Sequence, residues 1–511
     1  MIETPRNRSR RGGGSREAML ARRSKPPAIN PAPAGPVGGQ YRPLTDAQVQ
    51  QIYDTSLRML AELGMGDSPP ALTERALECG ATINELGRLC FSRDMVEDII
   101  DGACKSFVFY GRDDQYSFEV GGDRVYFGTG GAAVQTLDLD SHIYRPSTLR
   151  DLADFTRLAD TLPNISWFTR CCVATDVPDI FELDFNTAYC LMRNTQKPVG
   201  TNFTLGAHVD PIVDMFDAVA GGPGKFAQKP FCKSHISPII SPMRYGEDAF
   251  DVAIASIRRG MPINSITAAM SGATSPATID GMLAASFAET LAALVMVNIF
   301  APAYPMIFSN WPFVIDLRTG AFCGGGGEIS ILNAGAAQLA NHCNLPSGVA
   351  SSMSDAKAVD AQMGMEKALS SLACGLSGAN MVYESSGMMA SLLGVSFEAF
   401  LLDNEMLSHV YRMIRGVEVS EETLAFETMR NVITGEGHFI GETQTMQAME
   451  RDYYYPKLSD RLEPTTWAEA GAQDAWQRSN HEVREILARH QPNYIDAGVD
   501  ARLRSQFNIK I

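Results

Sequence analysis

Between Pro346 and Gly387 the chain passes twice from a short apolar run to a polar edge. PSGVASSMSDAK is small and apolar until Ser354, Asp355 and Lys357. AVDAQMGMEKALSSLACGL follows at helical spacing. GANMVYESSG then repeats the first pattern and ends in Glu384, Ser385, Ser386 and Gly387. An apolar strand that turns polar only at its C-terminal end suits a β/α barrel, where the middle fills a core and the rim meets substrate. The unit recurs from Arg124 onward, through RVYFGTGGAAV, ISWFTRCCVATD, KPVGTNFTL, KPFCKSHISPI, MPINSITAAMSG and YPMIFSNWP. Seven helical stretches separate the eight runs, and SFEAFLLDNEMLSHVYRMIRG supplies an eighth after the last strand. The pattern predicts an α/β fold, a closed TIM (β/α)8 barrel over 124–415. An open doubly wound sheet is disfavoured, because no G-x-G-x-x-G follows the first strand with an acidic residue at the expected distance.

Outside the barrel the pattern changes. TDAQVQQIYDTSLRMLAELGM reads as an amphipathic helix capped by Thr45, and PALTERALECGATI and SRDMVEDIIDGACKSF as two more. FVFYGRDDQYSFEVGGDRVYF alternates and reads as a small hairpin with Gly121-Gly122 as its tight turn. Residues 41–123 are therefore assigned to an α-rich extension, and 416–511 to a cap that wraps back on the barrel. The longest apolar run, Met282 to Phe308, is broken by polar residues and two prolines. It is expected to be a buried helix and the next strand rather than a membrane span.

Charge separates the tail from the body. Residues 1–40 hold eight basic residues against Glu3 and Glu17, a balance of +6 that leaves −22 on the remainder of a chain whose net charge is −16. An acidic body argues against nucleic-acid binding. The Arg-, Gly- and Pro-rich tail lacks an apolar core for secretion and is expected to be disordered. A transit peptide or an RNA-binding tail is the alternative. Ten scattered cysteines without a C-x-x-C pair suggest reduced thiols in a cytoplasm.

Chemistry should sit at the strand C-termini. The rim holds Thr129 and Gly130, Arg170 with Cys171 and Cys172, Asn202, His235, Asn310 with Trp311, Asp355, and Tyr383 with Glu384. No nucleophile elbow, P-loop, H-E-x-x-H or EF-hand pattern occurs. His235 can be a general base, a metal ligand, a substrate donor or a satisfied strand-end histidine. Zinc would want Cys171, Cys172 or Cys232 beside it, at spacings that match no known site. Glu384 can hold a cation or pair with Lys357 or Arg170. Trp311 can pack, or present a face to a poorly hydrated quaternary ammonium ion. The glycine run Gly324, Gly325, Gly326 and Gly327 opens a helix and allows close backbone approach. The following Glu328 disfavours a phosphate there and leaves a docking loop or lid.

MSGATSPATIDG, GGGGEISILNAGAAQLA, LPSG, SDAKAVDAQMGMEKALSSLACGLSGANMVYESSG, SFEAFLLDNEML and GHFIGETQT together resemble the trimethylamine methyltransferase family over about residues 40–495. The resemblance implies a TIM barrel that moves a methyl group from a methylated amine to the cobalt of a corrinoid on a separate protein. Archaeal trimethylamine enzymes of that family carry pyrrolysine, whereas this chain has standard residues only. Relatives without pyrrolysine include glycine betaine methyltransferases, so the expected substrate is a quaternary amine. On rim position and chemistry, Trp311, Tyr383 and Glu384 are assigned to the ammonium, and His235, Asn202 or Arg170 to a carboxylate. Asn310 and Asp355 are further substrate-binding candidates, and Gly324–Gly327 are assigned toward the corrinoid. Glu384 and His235 are the catalytic candidates, and no tightly bound metal is expected. The corrinoid should come from its partner protein: Asp140-Ser141-His142 lacks the glycine of the Asp-x-His-x-x-Gly motif that holds base-off cobalamin. A homo-oligomer is expected. Two other readings use the same rim, a metal-dependent hydrolase or lyase built on His235, Asp355 and Glu384, and a non-catalytic betaine-binding protein.

Overall fold

The computed structural model describes residues 30–435 and 437–511. Eight strands form one parallel sheet: β1 Tyr126–Phe127, β2 Phe168–Thr169, β3 Val199–Thr201, β4 Cys232–Ile236, β5 Ile263–Thr267, β6 Met306–Asn310, β7 Ser347–Ala350 and β8 Met381–Tyr383. Their spatial order is β1-β8-β7-β6-β5-β4-β3-β2. The remaining seam, β1 to β2, is bridged by backbone. Ser166 N–H donates to Phe127 O at 2.8 Å, and Thr129 N–H to Trp167 O at 3.4 Å. The Thr129 hydroxyl adds to the seam, donating to Thr169 O and accepting from Thr169 N–H. The expected barrel is what forms.

A helix follows each strand: α1 Leu149–Thr161, α2 Ile180–Asn194, α3 Val209–Val219, α4 Glu247–Arg258, α5 Ile279–Phe300, α6 Gly327–His342, α7 Ala361–Leu376 and α8 Phe397–Arg415. Several starts are written in the sequence, since Thr148, Asp179 and Asp360 each accept backbone N–H groups of the first turn. The apolar run becomes α5 and β6. Among the described residues α5 is the single helix long and apolar enough to cross a membrane, and it is buried from Met282 to Ile299. It lies between the sheet and the N-terminal helix Asp46–Arg58, whose Ser56 hydroxyl donates to Ala284 O at 2.8 Å.

Glycines in the strands make room for large side chains inside. A Cβ on Gly128 would overlap the Trp167 ring, and one on Gly348 the Ser309 hydroxyl. One on Gly200 would lie 2.7 Å from Lys233 Nζ. The pleat sends alternate residues to opposite faces, so Trp167, Thr169, Lys233, His235, Asn264, Ser309 and Tyr383 fill the interior.

Four details differ from the sequence reading. The hairpin pairs Ser106–Phe109 with Phe118–Gly121, so its reversal is 110–117. Gly121-Gly122, both at positive φ, instead turn the chain out of the hairpin toward β1. The tail assigned to 1–40 lies outside the described residues up to 29. Its end, 33–40, lies along the barrel, with Gly35 and Gly38 N–H donating to Val125 and Asp123 carbonyls. Beyond α8 the chain divides. Residues 458–511 belong to one compact unit with 33–415, while Gly416–Lys457 belong to another. Glu405 of α8 fixes the return, accepting from the backbone N–H groups of Leu458 and Ser459.

Candidate functional site

The backbone of β8 carries Tyr383 into the barrel and then turns left-handed at Glu384, φ 62°. An L-residue adopts that region only where its surroundings impose it. The turn aims the carboxylate across the top toward the end of β1, where Gly130 and Gly131 leave space. A Cβ on Gly130 would stand 3.0 Å from Oε1, and one on Gly131 2.6 Å from Oε2. Glu384 is 1% exposed and its Oε2 has no protein hydrogen-bond partner. Burial pushes its acid up to about 8, opposed by the positive charge of Lys367. Neither suggested ion pair forms: Lys357 donates to Asp355 O, and Arg170 Nε to Asn202 Oδ1 at 2.8 Å.

Beside this acid stands an aromatic wall. Trp311, 5% exposed, lies 5.2 Å from Tyr383 and 5.7 Å from His235 between ring centroids, and Tyr383 lies 5.7 Å from His235. Trp311 Nε1–H also has no protein acceptor. Asn264 orients the imidazole. Ser309 Oγ donates to Asn264 Oδ1 at 2.5 Å, and Asn264 Nδ2 donates to His235 Nδ1 at 2.9 Å. With Nδ1 accepting, the proton sits on Nε2. Burial, then Lys233, then Arg170 hold His235 well below its usual range. It is therefore a neutral donor.

Arg170 extends this side. Asn202 accepts from its Nε and donates to His235 O at 3.0 Å. Among the described residues Arg170 has no carboxylate within ion-pair distance. A buried carboxyl, aromatic rings, a guanidinium and neutral donors thus share one barrel top.

Other candidates lie elsewhere. Asn310 is buried with neither amide atom bonded. By strand alternation it shares the face of Phe308, whose ring packs on Phe287 of α5, so it points away from the wall. Asp355 is occupied by the glycine run and Ser391, accepting from Gly324 N–H at 2.7 Å, Gly325 N–H at 3.3 Å and Ser391 Oγ at 2.7 Å. A Cβ on Gly324 would meet Met353 at 2.9 Å, and one on Gly325 would overlap Glu366. Those two glycines serve internal packing. Gly326 is the N-cap of α6 and meets only Glu328, and Gly327 has open space. His235, Asp355 and Glu384 do not converge. Among the described residues no three His, Cys, Asp or Glu side chains gather as a metal set, and all ten cysteines are unpaired.

Two interior residues escaped the sequence reading. Lys233, fully buried, donates to Thr169 Oγ1 at 3.1 Å and places its ammonium 4.7 Å from the Tyr383 ring centre. Trp167 meets the same ring edge-on at 5.0 Å. The signal was present, since Lys233 lies two positions before His235 and alternation puts both on one face.

A family model described as trimethylamine methyltransferase (MTTB) matches residues 9–510. The trimethylamine methyltransferase MttB of Desulfitobacterium hafniense strain DSM 10664 / DCB-2 is 32% identical over 464 residues, 90% of this chain and 92% of that one. The glycine betaine methyltransferase of D. hafniense strain Y51 is 28% identical over 469 residues, 91% and 96% of the two chains. The MttB of Methanosarcina thermophila is 31% identical over 468 residues, 90% and 96%.

Proposed function

This chain belongs to the trimethylamine methyltransferase family and is a methyltransferase, and on that premise we propose that its substrate is a betaine and its methyl acceptor a corrinoid carried by a separate protein. One observation carries the reading: a buried carboxylate with an unpartnered oxygen stands beside the Trp311–Tyr383 wall, in the same barrel top as an arginine without a carboxylate partner. A quaternary ammonium is large and poorly hydrated, so aromatic faces bind it well, and a bound cation favours ionisation of the buried Glu384 acid beside them. Its carboxylate finds Arg170, whose planar fork matches a carboxylate, and the neutral donor His235.

Docked on its own protein, the corrinoid would supply the nucleophile that takes an N-methyl group. The leaving tertiary amine departs neutral, so the chain needs no acid, base or covalent nucleophile at the reacting nitrogen. Glu384, Trp311 and Tyr383 hold the ammonium; Arg170, Asn202 and His235 fix the other end; the buried setting excludes water. Of the glycine run, Gly326 and Gly327 fit an approaching corrinoid, because a side chain there would meet only Glu328 or nothing.

Anaerobic incubation with Co(I) cobalamin and glycine betaine should produce the methylcobalamin spectrum, and trimethylamine should not. Methylation from trimethylamine with none from any betaine would overturn the proposal.

A further inference from the structure

The unit Gly416–Lys457 has almost no interior. Among its described residues only Val432 is buried. Val417, Val419, Phe426, Ile433, Ile440 and Tyr453 are each at least 60% exposed. On the helix Phe426–Thr434 the apolar residues form a stripe, since Phe426, Met429 and Ile433 recur at i, i+3 and i+7 and all three are exposed. Single apolar residues on a surface need no account, but a cluster of this density marks a face that something covers.

The start of the described chain lies in the same unit. Pro31 and Ala32 are both buried, and they belong with Gly416–Lys457, whereas Pro33 already belongs with the barrel. Ala32 N–H donates to Asn30 Oδ1 at 3.0 Å, a local turn at that point. Residues 1–29 are therefore tethered to this unit by two buried residues. Their charge is its complement. Residues 1–29 carry eight basic residues against Glu3 and Glu17, a balance of +6, while Gly416–Lys457 has eight acidic residues against Arg430, Arg451 and Lys457, a balance of −5. The apolar pattern matches too. The run Ala18, Met19, Leu20, Ala21 is bordered by Arg16, Arg22 and Arg23, and the stripe from Phe426 to Ile433 by Glu421, Glu422 and Glu442. A second copy of the unit would bring the same negative balance to the same face, so charge opposes that occupant.

We propose that residues 1–29 dock on the exposed face of Gly416–Lys457 in the same chain, with residues 18–21 against Phe426, Met429 and Ile433 and the flanking arginines against the acids. The apolar run removes the stripe from water, and the charges fix which segment does so. Because the acids are exposed, salt screens their part of the attraction.

The test places a photo-cross-linking amino acid at Leu20 of the full-length protein. Cross-links should join position 20 to peptides of 416–457, and the product should run at the mass of one chain on a denaturing gel. Arg16→Glu/Arg22→Glu/Arg23→Glu should lower the yield about fivefold or more, and so should about 1 M salt. Products of twice the chain mass place the segment on a second copy and overturn the proposal. So do cross-links that avoid 416–457, or a yield indifferent to both charge reversal and salt. Amide exchange gives an independent reading. In a chain lacking residues 2–29, exchange over 426–434 should quicken about tenfold or more while the barrel strands keep their protection. Equal exchange in the two proteins overturns the proposal, and should the shortened chain not fold, the cross-link decides alone.

Discussion

Two lysines lie wholly inside this barrel, one at each end, and burial lowers both from 10.5 to about 7. Lys197, just before β3 at the N-terminal end, donates to three carbonyls: Ala159 at 2.8 Å, Leu162 at 2.6 Å and Ile165 at 2.8 Å. Every donor of its ammonium is used, and the three acceptors span the last turn of α1 and its connection into β2. Lys233, on β4, has one hydroxyl partner and an aromatic ring. The same displacement therefore marks two different devices. The first ties the chain together where a barrel puts its stability; the second sets a potential beneath the face where a barrel puts its chemistry. A shifted lysine reports burial, and only the partners of its N–H groups say what the burial is for.

The largest test of that contrast is Lys197→Met. Three buried carbonyls would lose their donor, and stability in urea should fall by about 3–5 kcal/mol with betaine affinity almost unchanged. A loss under about 1 kcal/mol would erase the distinction. The pH dependence sharpens it. Between pH 7 and 10.5 each lysine is protonated in the unfolded chain and neutral in the folded one, so stability rises with pH across that window. Each Lys→Met replacement should remove about 1.4 kcal/mol per pH unit of that slope. Glu384, raised from 4.5 to about 8, works in reverse. The folded state holds the extra proton, so its contribution falls as pH climbs through that window, and Glu384→Gln should abolish the fall.

Top-face changes should act on binding rather than folding. Trp311→Ala should weaken glycine betaine binding by roughly 1–2 kcal/mol by calorimetry if the ring faces the cation. Unchanged affinity in a folded variant would return Trp311 to packing. Lys233→Met should cost the fold much less than Lys197→Met, and below pH 7 should tighten tetramethylammonium binding by about 1 kcal/mol, because a like charge has gone. The smallest effect belongs to Gly327→Ala, expected within about 0.5 kcal/mol of wild-type stability because the site is open. A slowed methyl transfer to a corrinoid protein in that variant would mark the run as a docking edge, and an unchanged rate would remove it from the surface.

The order of eight strands and eight helices was legible because each buried parallel strand must be a short apolar run and each helix an amphipathic or buried one of greater length. The polar ends of those runs also placed Trp311, Tyr383, His235 and Glu384 on one rim, and rim residues of a closed barrel converge. What each side chain faces is a different matter. Alternation and register turned Asn310 toward α5 and Lys233 inward beside His235, and a single residue of offset would exchange those faces. Asp355 reads as a rim acid, yet the loop of the neighbouring unit supplies the N–H groups that occupy it. The Glu384 turn depends on Gly130 and Gly131 far earlier in the chain, and on Asp403 of α8, which Lys367 of α7 pairs. Local periodicity determines which element a residue joins; its charge state and its partners come from segments distant in sequence, which only the closed barrel brings together.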